Sequence, residues 1–258
     1  MNQDPRLKAF ERLLIIMDEL RAGCPWDMKQ TIESLRYLTI EETYELSDAI
    51  LNNDLIGIKE ELGDLMLHLV FYAKIGQEKE AFDITDVLEG ISEKLIRRHP
   101  HIYAETQVAN EEEVKSNWEK IKLEEGKKSV LGGVPHSMAP LIKAIRIQEK
   151  VRGVGFDWEK PEQVWQKVEE EIAELQFEIN NGGSTEKIEG EFGDLLFALV
   201  NYSRFIGINP DQAIEKTNRK FIKRFQYLEK AAEKINKTLH EMSLSEMDVF
   251  WEQSKKFD

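Results

Sequence analysis

The chain has 258 residues, enough for one large domain or two small ones, each with its own core. Lys and Arg number 35 against 49 Asp and Glu, a net charge of −14. That balance argues against a nucleic-acid polymer as partner, because phosphate backbones select basic surfaces. It leaves room for a single nucleotide, whose charge a divalent cation can neutralise. Cys24 is the only cysteine, so no intramolecular disulfide can form and a thiolate zinc site is disfavoured. The N-terminus MNQDPRLKAFERL shows no secretory pattern. The longest apolar runs, near Leu65 to Ala73 and Leu195 to Val200, are too short to span a bilayer. The expectation is a soluble cytoplasmic protein with no membrane partner.

Apolar residues recur at helical spacing along the chain, and no segment alternates as a strand does. The first half predicts helices over 5–21, 32–51, 55–77, 84–98 and 111–125. The second half predicts them over 138–151, 161–180, 185–206, 211–238 and 245–255. Turn-forming clusters separate them, notably Asn52-Asn53-Asp54 and Asn180-Asn181-Gly182-Gly183-Ser184. The stretch from Leu131 to Ser137 reads as a linker between domains 1–130 and 138–258.

The two halves repeat one another in order. GCPWD at Gly23 to Asp27 has a loose counterpart in GFDW at Gly155 to Trp158. Glu41, Glu42 and Glu45 match Glu170, Glu171 and Glu174, and Glu61 with Asp64 matches Glu191 with Asp194. Lys94, Arg97 and Arg98 match Lys220, Lys223 and Arg224, and Trp118-Glu119 matches Trp251-Glu252. Five correspondences in one order point to an internal duplication.

Within each half the carboxylates fall three apart on one helix face. Glu45 lies seven residues before Asn52 and Glu61 eight after Asn53, so both stand roughly 10–12 Å from the turn at about 1.5 Å per residue. Folding the helices back on one another brings Glu42, Glu45, Glu61 and Asp64 to one level, and likewise Glu171, Glu174, Glu191 and Asp194. Such a group raises its members' pKa values unless a cation enters, and all-oxygen ligation suits Mg²⁺, with Mn²⁺ as a substitute. A lone E-x-x-E is commonly a solvated helix face; repetition of the whole pattern, with Gly63 or Gly193 and an apolar run attached, favours metal. Those glycines cost about 1 kcal/mol each relative to Ala inside a helix, which suggests that something approaches the backbone there. A di-iron bundle would need Glu-x-x-His pairs, and no histidine here has Glu three residues before it.

Lys94, Arg97 and Arg98 share a helix face, as do Lys220, Lys223 and Arg224, and both sets suit phosphate groups or, as a plainer reading, salt bridges. Trp118 and Trp251 either stack on a base or anchor a terminal helix. His68, inside an apolar run, reads as a satisfied core residue.

Assembled in this order, these residues resemble MazG, the nucleoside triphosphate pyrophosphohydrolase family. The family pattern of two adjacent Glu, a third Glu three on, and a later E-x-x-D is met in both halves, and GCPWD and RRHPH (Arg97 to His101) are similar to MazG text. The resemblance implies an all-α fold of tandem helical bundles, completed as a homodimer. It implies Mg²⁺-dependent hydrolysis of nucleoside triphosphates between the α and β phosphates, giving the monophosphate and pyrophosphate. On that footing the eight paired carboxylates are metal ligands, and Glu170 and Glu41 are the candidates to hold the attacking water. Lys187, Lys220, Lys223, Arg224 and Trp251, with Lys94, Arg97, Arg98 and Trp118 in the first half, are the nucleotide and phosphate contacts. Lys187 has no lysine counterpart, Gly57 standing in its place, and the second half reads as the better catalyst. The competing reading is a non-catalytic helical scaffold held by a structural cation.

Overall fold

The computed structural model describes residues 4–104 and 129–257, together with residues 108, 110, 113, 114, 117, 118, 121 and 125. Most of the helix expected over 111–125, and Glu119 with it, lies outside the described residues. Every regular element among the described residues is helical. The chain divides into two compact units, Met1–Gln107 and Val108–Asp258.

The first unit runs α1 (Pro5–Gly23), a 3₁₀ turn (Asp27–Lys29), α2 (Ile32–Leu51), α3 (Leu55–Glu78), α4 (Ile84–Arg98) and the short α5 (Pro100–Tyr103). Helix starts fall where side chains can satisfy free backbone N–H groups. Asp4, Thr31, Asp54 and Asp83 cap α1 to α4, and Thr31 with Ser34 and Asp83 with Asp86 close reciprocal boxes. Met17, Leu35, Val70, Phe71 and Ile75 form the core, with Phe10, Leu13, Leu38, Leu67 and Tyr72 packed around it. The GCPWD segment is fastened to this core by Arg21. Its guanidinium pairs with Glu78 at the end of α3, donates to the carbonyls of Asp27 and Gln30, and lies over the Phe71 ring at 5.4 Å.

The second unit contains α6 (Pro140–Arg152), α7 (Pro161–Asn180), α8 (Thr185–Phe205), α9 (Pro210–Lys234), a 3₁₀ turn (Leu239–Glu241), α10 (Leu244–Ser254) and a final 3₁₀ turn (Lys255–Phe257). Val164, Val168, Ala198, Val200, Leu228 and Ala232 are buried here. The stretch read as a linker is a run of turns fastened to α6. Lys150 Nζ donates to the Val130 carbonyl at 3.1 Å and Lys143 Nζ to that of His136 at 2.7 Å. Each unit is built on an antiparallel helix pair, α2 with α3 and α7 with α8, and these pairs hold the acidic residues.

The helix expected over 211–238 stops at Lys234. Asn236 takes the left-handed conformation (φ 53°), and the Lys237 N–H returns to the Ala232 carbonyl at 3.1 Å. This six-to-one bond ends a helix by satisfying a carbonyl that would otherwise be orphaned. The same closure recurs at Asn53, Glu80, Gly155, Gly182 and Gly207, each followed by a residue whose N–H bonds five residues back. The turn of the second helix pair carries one residue more than the first. Asn52-Asn53 leads to the cap Asp54, whereas Asn181-Gly182-Gly183 leads to the cap Ser184. A Cβ on Gly183 would lie 3.0 Å from the Glu178 carbonyl, so the added position is fitted by a residue without one.

Candidate functional site

In the first unit α2 presents Glu41, Glu42 and Glu45, and α3 presents Glu61 and Asp64. Glu42, Glu45 and Glu61 each offer a carboxylate oxygen within 4.8 Å of the other two. Asp64 stands beside this trio, close enough to act on Glu42 and Glu61 electrostatically. No ion pair reaches Glu42, Glu45, Glu61 or Asp64 among the described residues. Crowding and burial make Glu42 and Glu61 harder to ionise. Desolvation first, and then the charges of Asp64 and Glu45, push Glu42 above the ordinary carboxylate range, and desolvation with Glu45 and Asp64 does the same to Glu61. Glu61 Oε2 is shut off from solvent and finds no hydrogen-bond partner.

The second unit repeats the site with different members in closest approach. Glu171, Glu191 and Asp194 bring oxygens within 4.8 Å of one another, and Glu174 lies beside them. Desolvation and the Glu171 charge hold Glu174 above its usual range, although Lys167 works the other way. Glu171 is only 6% exposed. A buried carboxylate needs a partner, and here it has Lys167, whose Nζ lies 2.7 Å from Glu171 Oε1 and 2.8 Å from Glu170 Oε1. Two carboxylates so close hold the Lys167 ammonium well above its ordinary pKa, Glu170 contributing most.

Lys167 is the residue that sequence reasoning missed. It stands three before Glu170 and four before Glu171, a spacing that puts it over them on one helix face. Comparison of the halves hides it, because Leu38 occupies the same register before Glu41 and Glu42.

The space beside both clusters is clear. A Cβ added to Gly63 or Gly193 would meet no protein atom within 4 Å outside the helix's own neighbouring backbone, so packing does not require either glycine. The donor set, all carboxylate oxygen with one oxygen buried and unpartnered, fits a hard divalent cation.

On α9, Arg224 lies over the Trp251 ring at 5.6 Å, and Phe221 meets the same ring at 5.0 Å. Trp251 therefore anchors α10 to α9, and it leaves Lys220 and Lys223 exposed within one turn of Arg224. Lys187, in the first turn of α8, pairs with Glu178 across the loop at 3.7 Å and is largely exposed, one turn before Glu191. In the first unit Lys94, Arg97 and Arg98 line the C-terminal part of α4, with Arg97 and Arg98 in its last turn, where cations meet the negative helix end favourably. Trp118 is half-buried. His68 is buried, as expected of a core residue, but its Nδ1 is enclosed without a hydrogen-bond partner, and burial holds its pKa down.

Comparison with known proteins accounts for the repetition. The model of the MazG nucleotide pyrophosphohydrolase domain matches residues 30–103 and again 159–228, the segments that contain both acidic helix pairs and both basic triplets. The chain is 44% identical over 254 residues to the nucleoside triphosphate pyrophosphohydrolase/pyrophosphatase MazG of Thermotoga maritima, covering 96% of each chain. It is 40% identical over 258 residues to the nucleoside triphosphate pyrophosphohydrolase of Escherichia coli K12, covering 97% of this chain and 98% of that one. It is also 44% identical to the uncharacterized protein YabN of Bacillus subtilis, across 96% of this chain and 52% of that longer one. No helix among the described residues is long and apolar enough to cross a membrane. With its acidic helix pair and basic face each present twice, the chain belongs to the MazG nucleotide pyrophosphohydrolase family.

Proposed function

We infer that this protein hydrolyses nucleoside triphosphates to the monophosphate and pyrophosphate, cleaving between the α and β phosphates with Mg²⁺ or Mn²⁺ as cofactor. The observation that carries the reading is the convergence, in both repeats, of carboxylate oxygens from two helices to within 4.8 Å, with Glu61 Oε2 of the first repeat buried and unpartnered. Family membership and near full-length likeness to named pyrophosphohydrolases support the substrate class.

When bound, the cation would neutralise the triphosphate and polarise the α-phosphorus. Glu171, Glu174, Glu191 and Asp194 would hold it in the second unit, and Glu42, Glu45, Glu61 and Asp64 in the first. The residues beside it do the rest. Glu170, exposed next to the cluster, accepts a proton from the attacking water, with Glu41 in the equivalent place. Lys220, Lys223 and Arg224 hold the phosphates and offset the charge that develops on departing pyrophosphate, with Lys187 as a further contact. Trp251, already stacked under Arg224, fixes the direction of that guanidinium and offers a face to the nucleotide.

We infer further that a second copy of the chain completes the molecule. Helix α4 buries none of its residues, and Leu88, Ile91 and Leu95, which share one face, remain 43–45% exposed. An amphipathic helix with its apolar stripe uncovered calls for a partner surface.

The test is product analysis on each common NTP and dNTP, with Mg²⁺ and with EDTA, beside Glu45→Ala and Glu174→Ala. Monophosphate and pyrophosphate should form only with metal, and Glu174→Ala should remove most of the activity of the second unit. Full metal-dependent turnover in the doubly substituted protein would overturn the ligand assignment. Stability loss in both variants with no turnover by the parent would favour the scaffold reading.

A further inference from the structure

The two acidic clusters differ in one respect that bears on how they take up metal. Around Glu42, Glu45, Glu61 and Asp64 no cation is paired among the described residues, and Leu38, in the lysine's register, packs against the apolar core. Around Glu171, a member of the second trio, Lys167 Nζ already sits 2.7 Å from Oε1 of that carboxylate. A divalent ion bonds carboxylate oxygen at about 2.0–2.6 Å, so an ion on Glu171 would stand within a few ångströms of the ammonium. Like charges at that range repel strongly where solvent screens little, and Glu171 is buried. Either the ion is held weakly or Lys167 leaves; its side chain is about one-third exposed and has solvent to leave into.

Resting on the metal reading above, we propose that Lys167 occupies the cation's place in the second unit, so that the protein alone binds one divalent ion tightly in the first unit and a second far more weakly. The first-unit ion is then a resident part of the fold. The second is held weakly for as long as the ammonium stays between Glu170 and Glu171.

Mn²⁺ titration of the full chain without nucleotide, followed by the EPR signal of free Mn²⁺ and by calorimetry, tests this directly. The expected result is one tight site per chain and a second at least tenfold weaker, with the tight site lost in Glu45→Ala. Lys167→Met should tighten the second site at least tenfold, whereas Lys167→Arg should leave it weak. Should Lys167→Met fail to fold, as judged by its melting curve, Leu38→Lys supplies the converse and should weaken the tight site by a similar factor. Two equal sites in the parent protein, or a second site unmoved by loss of the lysine charge, would overturn the proposal while leaving the metal reading intact. No saturable Mn²⁺ binding by parent or variants would sink both.

Discussion

Gly193 and Gly63 stand inside continuous helices that would be stronger without them, and nothing in the protein crowds either position. A helix-interior glycine forfeits about 1 kcal/mol relative to alanine. If protein packing explained the glycines, alanine would clash; it does not, so the space serves something outside the fold. Gly193→Ala should therefore raise unfolding free energy by about 1 kcal/mol in urea denaturation. At the same time kcat/KM for a triphosphate should fall about tenfold or more, the order expected when reacting groups are displaced by an ångström. Gain of stability with unchanged turnover would mean that nothing approaches the backbone there. The sequence reading brought the carboxylates of each helix pair to one level, because E-x-x-E and E-x-x-D place side chains by helix geometry alone, and three in each unit do approach one another. It did not anticipate which three would approach most closely. Glu45 completes one trio and Asp194 the other, a choice made by side-chain rotamers that spacing does not encode. Lys167 escaped because a comparison of repeats looks for what is shared, and its meaning lies in what is not.

Among the elements, the helix ends explain how the acidic pairs are held at one level. Six closures among the described residues use a left-handed residue, three of them glycine and two asparagine, residues that adopt φ > 0 at low cost. The sixth is Glu80 at φ 53°, between α3 and the cap of α4. A β-carbon there costs roughly 1–2 kcal/mol, partly offset by the freedom that glycine would gain when unfolded. Glu80→Gly should thus stabilise the protein by about 0.5–1 kcal/mol, measurable as a raised denaturation midpoint with an unchanged slope. Helices over 32–51, 84–98 and 161–180 match their expected bounds because a capping side chain, or Pro161 in the third, marks each start, and Asn52, His99-Pro100 and Asn181-Gly182 follow the ends. The overrun at 235–238 arose because Ile235 and Lys237 continue the apolar and charged rhythm, while a single asparagine does the stopping. The turns at Asp27–Lys29 and Leu239–Glu241 are too short to carry a period and were invisible for that reason.

The whole molecule repeats one design under different loads. Duplication was legible because five motifs recur in the same order, and the family match at 30–103 and 159–228 finds the same repeat. A dimer is expected only by resemblance, since an exposed apolar stripe looks the same in sequence as a buried one. The stripe on α4 now gives that expectation a surface. Light scattering coupled to size exclusion should give twice the 30.0 kDa chain mass for the parent protein and the single chain mass for a Leu88→Glu, Leu95→Glu variant. A dimer that survives both charges would move the interface elsewhere, the exposed faces of α2 and α3 being next in line.

The unequal turns of the two helix pairs carry a consequence for descent. Since the copies parted, one has come to carry a residue more than the other at its tip, yet each still brings three carboxylates within 4.8 Å. Closure at Asn53 and at Gly182 resets the chain before the next helix begins, so a change of length at the tip is not passed down to the acidic level. The tip is thus free to vary between lineages while the chemistry below it stays in register, which makes it the place to graft a new loop.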